Sequence, residues 1–141
     1  MAHRRYWLVV ASRDHALRGL DGGFVMANHG KRAPLARMSV GDAVLVYSPR
    51  TGYPEGASLR AITVVGEVTG EEPEPSEAIP GGFRRRASLR AVEPPVPLDE
   101  VRDHLPTSRL RFGFLELESA HGEALVARAE AASGRPSTPD G

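Results

Sequence analysis

The stretch Tyr6-Trp7-Leu8-Val9-Val10-Ala11-Ser12-Arg13-Asp14-His15 sets the architecture of this chain. Its first six residues are continuously apolar and rich in aromatic and β-branched side chains, which predicts a buried strand. A hydroxyl, a guanidinium, a carboxylate and an imidazole then follow at once. Ser12 or Asp14 is placed to cap a short helical turn running through Leu17, with Gly19 as its stop. A strand that empties into such groups is either a plain N-capped turn or one wall of a binding pocket. It is not a hydrolase triad: adjacent Asp14 and His15 on a helical turn point about 100° apart, so the carboxylate is poorly placed to orient the ring. The chain also lacks the Gly-x-Ser-x-Gly elbow.

Outward from this stretch, the pattern alternates between strands and short helices. Phe24–Ala27 reads as extended and runs into the polar knot Asn28-His29-Gly30-Lys31. Leu35 and Met38 fit one helical turn against the core. Gly41-Asp42 marks a turn before a second buried strand, Ala43–Ser48, which Pro49 should stop. Arg50–Gly56 reads as a mobile loop and Leu59–Val68 as a long strand. The acidic, proline-rich segment Gly70–Pro80 reads as a solvated loop. Phe83–Val92 alternates, with Phe83, Arg85, Ala87, Leu89 and Ala91 on one face and Arg84, Arg86, Ser88 and Arg90 on the other. Leu98, Val101 and Leu105 match one helix face that begins at Pro97. Arg109–Glu118 reads as the last strand, bulged near Gly113, and Ser119 caps a final helix to about Ala132. The expected fold is α+β, a small β-barrel of about five to six strands with short flanking helices. One domain over residues 1–132 and a disordered tail at 133–141 are expected.

Composition narrows the function. With 141 residues the chain can bury a core without staples, and with no cysteine it has no disulfide or thiolate metal site. No apolar run approaches the ~20 residues of a membrane span, so a cytoplasmic protein without a membrane partner is expected. The formal charge is zero, which argues against sequence-independent coating of duplex DNA. The signs are separated locally, though: acid gathers at 67–77 and arginine at 84–90. Lys31 is the sole lysine in the chain.

Four groups of residues are candidates for chemistry. Asn28-His29-Gly30-Lys31 is not a phosphate loop, because Val25 stands where a Walker A needs glycine and Arg32 where it needs Ser or Thr. It is an ordinary turn, or a place where Gly30 admits a ligand to Asn28 and Lys31. The histidines show no metal-ligand spacing, and no cofactor is expected. Among the aromatics Trp7, Tyr47, Tyr53, Phe83 and Phe112, most should be core. Trp7 and Tyr47 stand near polar knots, where an aromatic wall beside convergent donors would suit a flipped-out base. The Arg84-Arg85-Arg86 run is either a solvated face or, with Arg90, a stripe that tracks phosphates.

Taken in order, these segments resemble the bacterial EVE-domain family, a PUA-like group related to the YTH domains. The matching pieces are Tyr6–His15, Asn28–Lys31, Leu35–Asp42, Val46–Pro49, Val64–Val68, Phe83–Arg86 and Arg111–Phe114, spanning about residues 6–130. The resemblance implies a PUA-type barrel and a concave pocket beside the end of the first strand. It places Ser12, Arg13, His29, Gly30, Lys31, Tyr47 and Ser48 at or around that pocket. Related domains read modified cytosine in DNA or methylated adenine in RNA and often accompany restriction systems. The chain departs from the family between Leu105 and Arg111, where a longer connection with a Trp-Gly pair is replaced by Pro106–Leu110.

The function expected is therefore a nucleic-acid-binding module that recognises a modified base. Ser12, Arg13, Asn28, His29, Gly30, Lys31, Tyr47 and Ser48 would bind the base, and Arg84, Arg86, Arg90 and Arg111 would track phosphates. DNA or RNA would be the partner, with room for a protein partner of effector activity. Two rivals stand beside this reading: an enzyme using His15 or His29 as a base on a nucleotide, and a protein-interaction module using the arginine face.

Overall fold

The protein is described by a computed structural model covering residues 4–52 and 55–132. Tyr53 and the tail expected at 133–141 lie outside the described residues.

The described residues form seven strands, β1 (Tyr6–Val10), β2 (Phe24–Val25), β3 (Ala43–Arg50), β4 (Ser58–Val68), β5 (Glu74–Pro75), β6 (Phe83–Pro97) and β7 (Phe114–Leu117). Four α-helices accompany them: α1 (Arg13–Gly22), α2 (Arg32–Ala36), α3 (Leu98–Val101) and α4 (Ser119–Ala132). Tight 3₁₀ turns occupy Asn28–Gly30, Arg102–His104 and Thr107–Phe112. The strands hydrogen-bond in the order β2-β6-β4-β3-β1-β7, with β5 added beside β6. β1 and β3 run parallel, Tyr6 opposite Ala43, and the other pairs are antiparallel. The result is a mixed sheet curled into a half-barrel of PUA-like form.

The period of two along β1 and β3 divides the core. Tyr6, Leu8, Leu45 and Tyr47 face the side covered by α3 and α4, where Leu98, Val101 and Leu125 meet them. Trp7, Val9, Val44 and Val46 face the other side, where Ala16 of α1 and Leu35 of α2 close over them. Helix α4 lies directly on β1: a Cβ at Gly122 would stand 2.2 Å from the Tyr6 ring. Buried Arg85 ties three segments together, its guanidinium donating to the carbonyls of Gly70, Leu35 and Met38 at 2.9, 2.7 and 2.9 Å. Burial pulls its pKa below the ordinary value, yet a guanidinium keeps its charge at any ordinary pH.

Four expectations from the sequence change here. Gly19 does not stop α1; the helix runs on to Gly22, and Gly23, at φ +78, closes it with its N–H on the Gly19 and Leu20 carbonyls. Gly19 is instead a close-approach site, since a Cβ there would meet the Phe24 carbonyl oxygen at 2.6 Å. Pro49 does not end β3, which continues to Arg50 across a register shift. The last strand is short because Thr107–Phe112 coils into a 3₁₀ turn, and Gly113, at φ +80, caps that turn rather than bulging a strand. The 70–80 segment is more than a solvated loop, for β5 pairs with β6 and Ser76 is buried.

Candidate functional site

Where β1 ends and α1 begins, the half-barrel opens into a cleft with two adjoining lobes of about 520 and 400 Å³. Both lobes touch Ala11, His15, Arg18, Met26 and Ile79. The larger lobe is mainly apolar, walled by Val9, Val25, Val46 and Leu89, with Phe24 and Arg84 at its edge. The smaller lobe is polar, and Ser12, His15, Asn28, His29 and Arg50 line it.

Local sequence explains how these side chains are placed. The Ser12 hydroxyl accepts the His15 N–H at 3.3 Å, which starts α1 and sets His15 one turn inside the helix, above the strand end. Arg18 follows three residues later on the same face. Across the cleft, Asn28, His29 and Gly30 all have positive φ, at 50°, 63° and 89°. Asparagine tolerates this region better than most residues and glycine is at home there, whereas a histidine held at φ 63, ψ 34 is strained backbone. Strain of this kind, of order 1–3 kcal/mol, concentrates at ligand sites. The Ala27 carbonyl fixes the knot by accepting the Gly30 and Lys31 N–H groups at 3.1 and 3.2 Å. A Cβ at Gly30 would press on Gly82 at 3.2 Å. Burial, reinforced by the nearby Arg18 and His29, lowers the His15 pKa from 6.5. His15 is therefore a neutral ring at neutral pH, a donor at one nitrogen and an acceptor at the other.

The structure gathers some of the residues singled out in the sequence and separates others. Ser12, Asn28, His29 and Gly30 meet in the polar lobe. Lys31 follows directly, exposed on the adjoining turn. Arg13 turns outward and pairs with Glu93 at 2.5 Å. Tyr47 and Ser48 do not line the cleft, and this corrects their expected contact with a base. Tyr47 belongs to the core face under α3 and α4, because it shares parity with Leu45 rather than with Val46. Ser48 is fully buried, its hydroxyl bonded to that of Thr63 at 2.7 Å across the β3–β4 pair. Trp7 is likewise core: it is fully buried and stacks on Phe114 with ring centroids 5.2 Å apart.

The arginine face is a network of ion pairs. Arg84 and Arg86 both sit over the Phe24 ring, 3.7 and 4.7 Å from its centroid, and both reach Glu74, at 3.4 and 3.6 Å. Arg90 points to the α4 side and pairs with Glu130 at 2.8 Å. Among the described residues, the cations without a carboxylate within bridging distance are the buried Arg85, held by backbone carbonyls, and Arg18, Lys31, Arg32, Arg50, Arg60, Arg109 and Arg111. Arg18 and Arg50 line the cleft, Lys31 and Arg32 follow Gly30, and Arg111 precedes Gly113, which packs on Asn28. Positive charge without a carboxylate partner thus lines the polar lobe at Arg18 and Arg50 and lies in neighbouring segments at Lys31, Arg32 and Arg111.

Sequence reasoning missed Arg18, Arg50, Met26 and Ile79. Arg18 was detectable from its i+3 spacing to His15. Ile79 was not, since it reaches the cleft only because β5 folds its loop back against β6. Among the described residues, no group of three or more His, Asp or Glu side chains is arranged to hold a metal ion.

A curled mixed sheet with helices on both faces and a cleft at the end of its first strand defines a PUA-like domain. Fold comparison agrees. The YTH domain of Pho92, solved in complex with m6A, superposes with a TM-score of 0.62 at 12% identity, covering 97% of this chain and 88% of that one. Human THYN1, solved in complex with DNA containing 5-methylcytosine, gives a TM-score of 0.56 at 11% identity, covering 89% and 98%. The EVE domain matches residues 5–128, and the chain belongs to that family. Among its relatives, a UPF0310 protein of Mycolicibacterium vanbaalenii is 47% identical over 121 residues, covering 79% of this chain and 83% of the relative. A UPF0310 protein of Streptococcus sanguinis is 37% identical over 119 residues, covering 80% and 84%.

Proposed function

We propose that this protein is a nucleic-acid-binding module that holds one extruded, modified base in the polar lobe of the cleft. The observation that carries this reading is the lobe itself. About 400 Å³ of space is lined by a neutral imidazole, a carboxamide and a second imidazole held out on strained backbone, with uncompensated cations around the rim. A base edge needs such mixed donors and acceptors, and the flanking phosphates need the cations. The modified nucleic acids bound by THYN1 and by the Pho92 YTH domain, which share this fold, support the assignment.

In this reading Asn28 and His29 address the base edge, His15 takes one further hydrogen bond, and Gly30 lets the knot turn tightly against Gly82. Lys31, Arg18 and Arg50 meet phosphates. Arg84, Arg86 and Arg90 have a lesser part, because a phosphate would first have to displace Glu74 or Glu130. The module binds and does not turn over its ligand.

The test is a fluorescence titration with short DNA and RNA strands, each carrying one cytosine or adenine, plain or methylated. A preference of at least tenfold for one modified base, about 1.4 kcal/mol, that disappears in His29→Ala is expected. Equal binding to every strand, unchanged in the variant, would remove the base-holding cleft.

A further inference from the structure

The 3₁₀ turn Thr107–Phe112 carries a distinctive surface. Only Val40 and Phe112 are large hydrophobic residues left exposed among those described, and Phe112 is 54% exposed. The turn is short and anchors itself through the partly buried Leu110, which packs on the core face beneath α3 and α4. Phe112 is not solvated at random, however. The Arg111 guanidinium lies 4.7 Å over the ring centroid, and its Nη1 donates to the Ser108 carbonyl, so the pair is held as a unit. Neither Arg109 nor Arg111 has a carboxylate partner among the described residues.

The position of the turn relates it to the cleft. Gly113, next in the chain, gives its carbonyl to the Val10 N–H at 2.9 Å, at the end of β1 where the cleft begins. Gly113 is also packed so closely on Asn28 that a Cβ would stand 2.3 Å from the Asn28 Oδ1. Asn28 lines the polar lobe. The exposed ring is thus one residue away from a direct contact with the lobe.

We infer that Phe112, backed by Arg111, is a stacking platform for the nucleotide next to the one held in the cleft, on a single strand. This rests on the base-holding reading above and deepens it by naming a second binding position. With Arg111 on one face, the ring offers its other face to a base, an arrangement that every base fits because stacking reads the π-surface and not the edge. Arg111 then carries charge within reach of the phosphate that joins the two nucleotides. A single strand suits the net charge of zero and the few uncompensated cations, which give little grip on a duplex.

The experiment uses short single strands carrying one 5-methylcytosine or one N6-methyladenine, with the fluorescent base 2-aminopurine placed on its 5′ or 3′ side. Stacking on Phe112 is expected to quench 2-aminopurine on one side only. Phe112→Ala should abolish that quenching and weaken binding on the order of tenfold; Phe112→Tyr should keep both. Phe112 is exposed, so a thermal melt should show the variants folded. If Phe112→Ala binds and quenches like the wild type while His29→Ala loses binding, the platform is overturned and the cleft stands. If the wild type binds none of the strands, both readings fall together.

Discussion

The indole N–H of Trp7 donates to the Asp42 carboxylate at 2.8 Å, and both residues are buried. The same carboxylate accepts the Ser39 N–H at 2.9 Å and the Arg5 N–H at 3.2 Å. One acidic side chain at the start of β3 therefore joins that strand to β1 and to the turn that follows α2. Replacing it with Ala leaves a buried indole donor and two backbone donors unmet. A loss of about 2–4 kcal/mol follows from the desolvation of such groups, and urea unfolding of Asp42→Ala would measure it. Trp7→Phe should cost less, because the carboxylate keeps its two backbone donors.

His29 is held at φ 63, so its backbone and its ring make opposite demands. His29→Gly relieves the left-handed strain, roughly 1–2 kcal/mol per residue, against the added entropy of glycine in the unfolded chain. Its unfolding free energy should equal or exceed that of the wild type, while its affinity for the modified strand falls as far as in His29→Ala. A variant both less stable and fully able to bind would show that the ring has no part in the site.

The cations divide by whether a carboxylate engages them. Arg50→Ala and Lys31→Ala should each weaken oligonucleotide binding and reduce its salt dependence by about one released counterion, a slope change of roughly 0.7–0.9. Arg90→Ala should change neither, since Glu130 holds that side chain on the α4 side. Titrations at several salt concentrations distinguish the two groups.

The pH dependence of stability has a defined sign at His15. Burial, then Arg18 and His29, place its folded pKa below the 6.5 it has when exposed. Between the two values the unfolded chain binds more protons than the folded one, so stability rises with pH there. The contribution of the neutral ring is full above pH 6.5 and is lost as pH falls from 6.5 toward the folded value. His15→Gln should flatten the melting temperature over that acidic window and leave its slope above neutrality unchanged.

The order of elements was legible from the sequence by itself. Continuous β-branched runs at Tyr6–Val10, Ala43–Val46 and Ile62–Val68 form strands because their side chains are buried on both faces, and no partner is needed to see that pattern. Ser12 as a helix cap, Leu35 and Met38 as core, Pro97 at the start of α3 and the extent of α4 depend on neighbours a few residues away. The EVE-domain motifs in their order indicated the family for the same reason, since they fall on these local elements. Asn28, His29 and Gly30 were visible as a polar knot.

Only the tertiary structure decided which way side chains face in a sheet buried on both sides. Parity sends Tyr47 beneath α4 and Val46 toward the cleft, and an apolar run on both faces contains no signal to distinguish them. Pairing between distant segments also had to be seen: Glu74 engages Arg84 and Arg86, Glu130 engages Arg90, and the arginine-rich strand loses its free charge. The uncompensated cations are instead scattered through the sequence at Arg18, Lys31, Arg50 and Arg111. Their segments converge because β1 ends where α1, the 28–30 knot and the 107–113 turn come together, with Arg18 and Arg50 lining the lobe itself. Local propensity fixes elements over a few residues, whereas a site depends on the facing and charge balance of segments far apart in the chain, which only folding brings together.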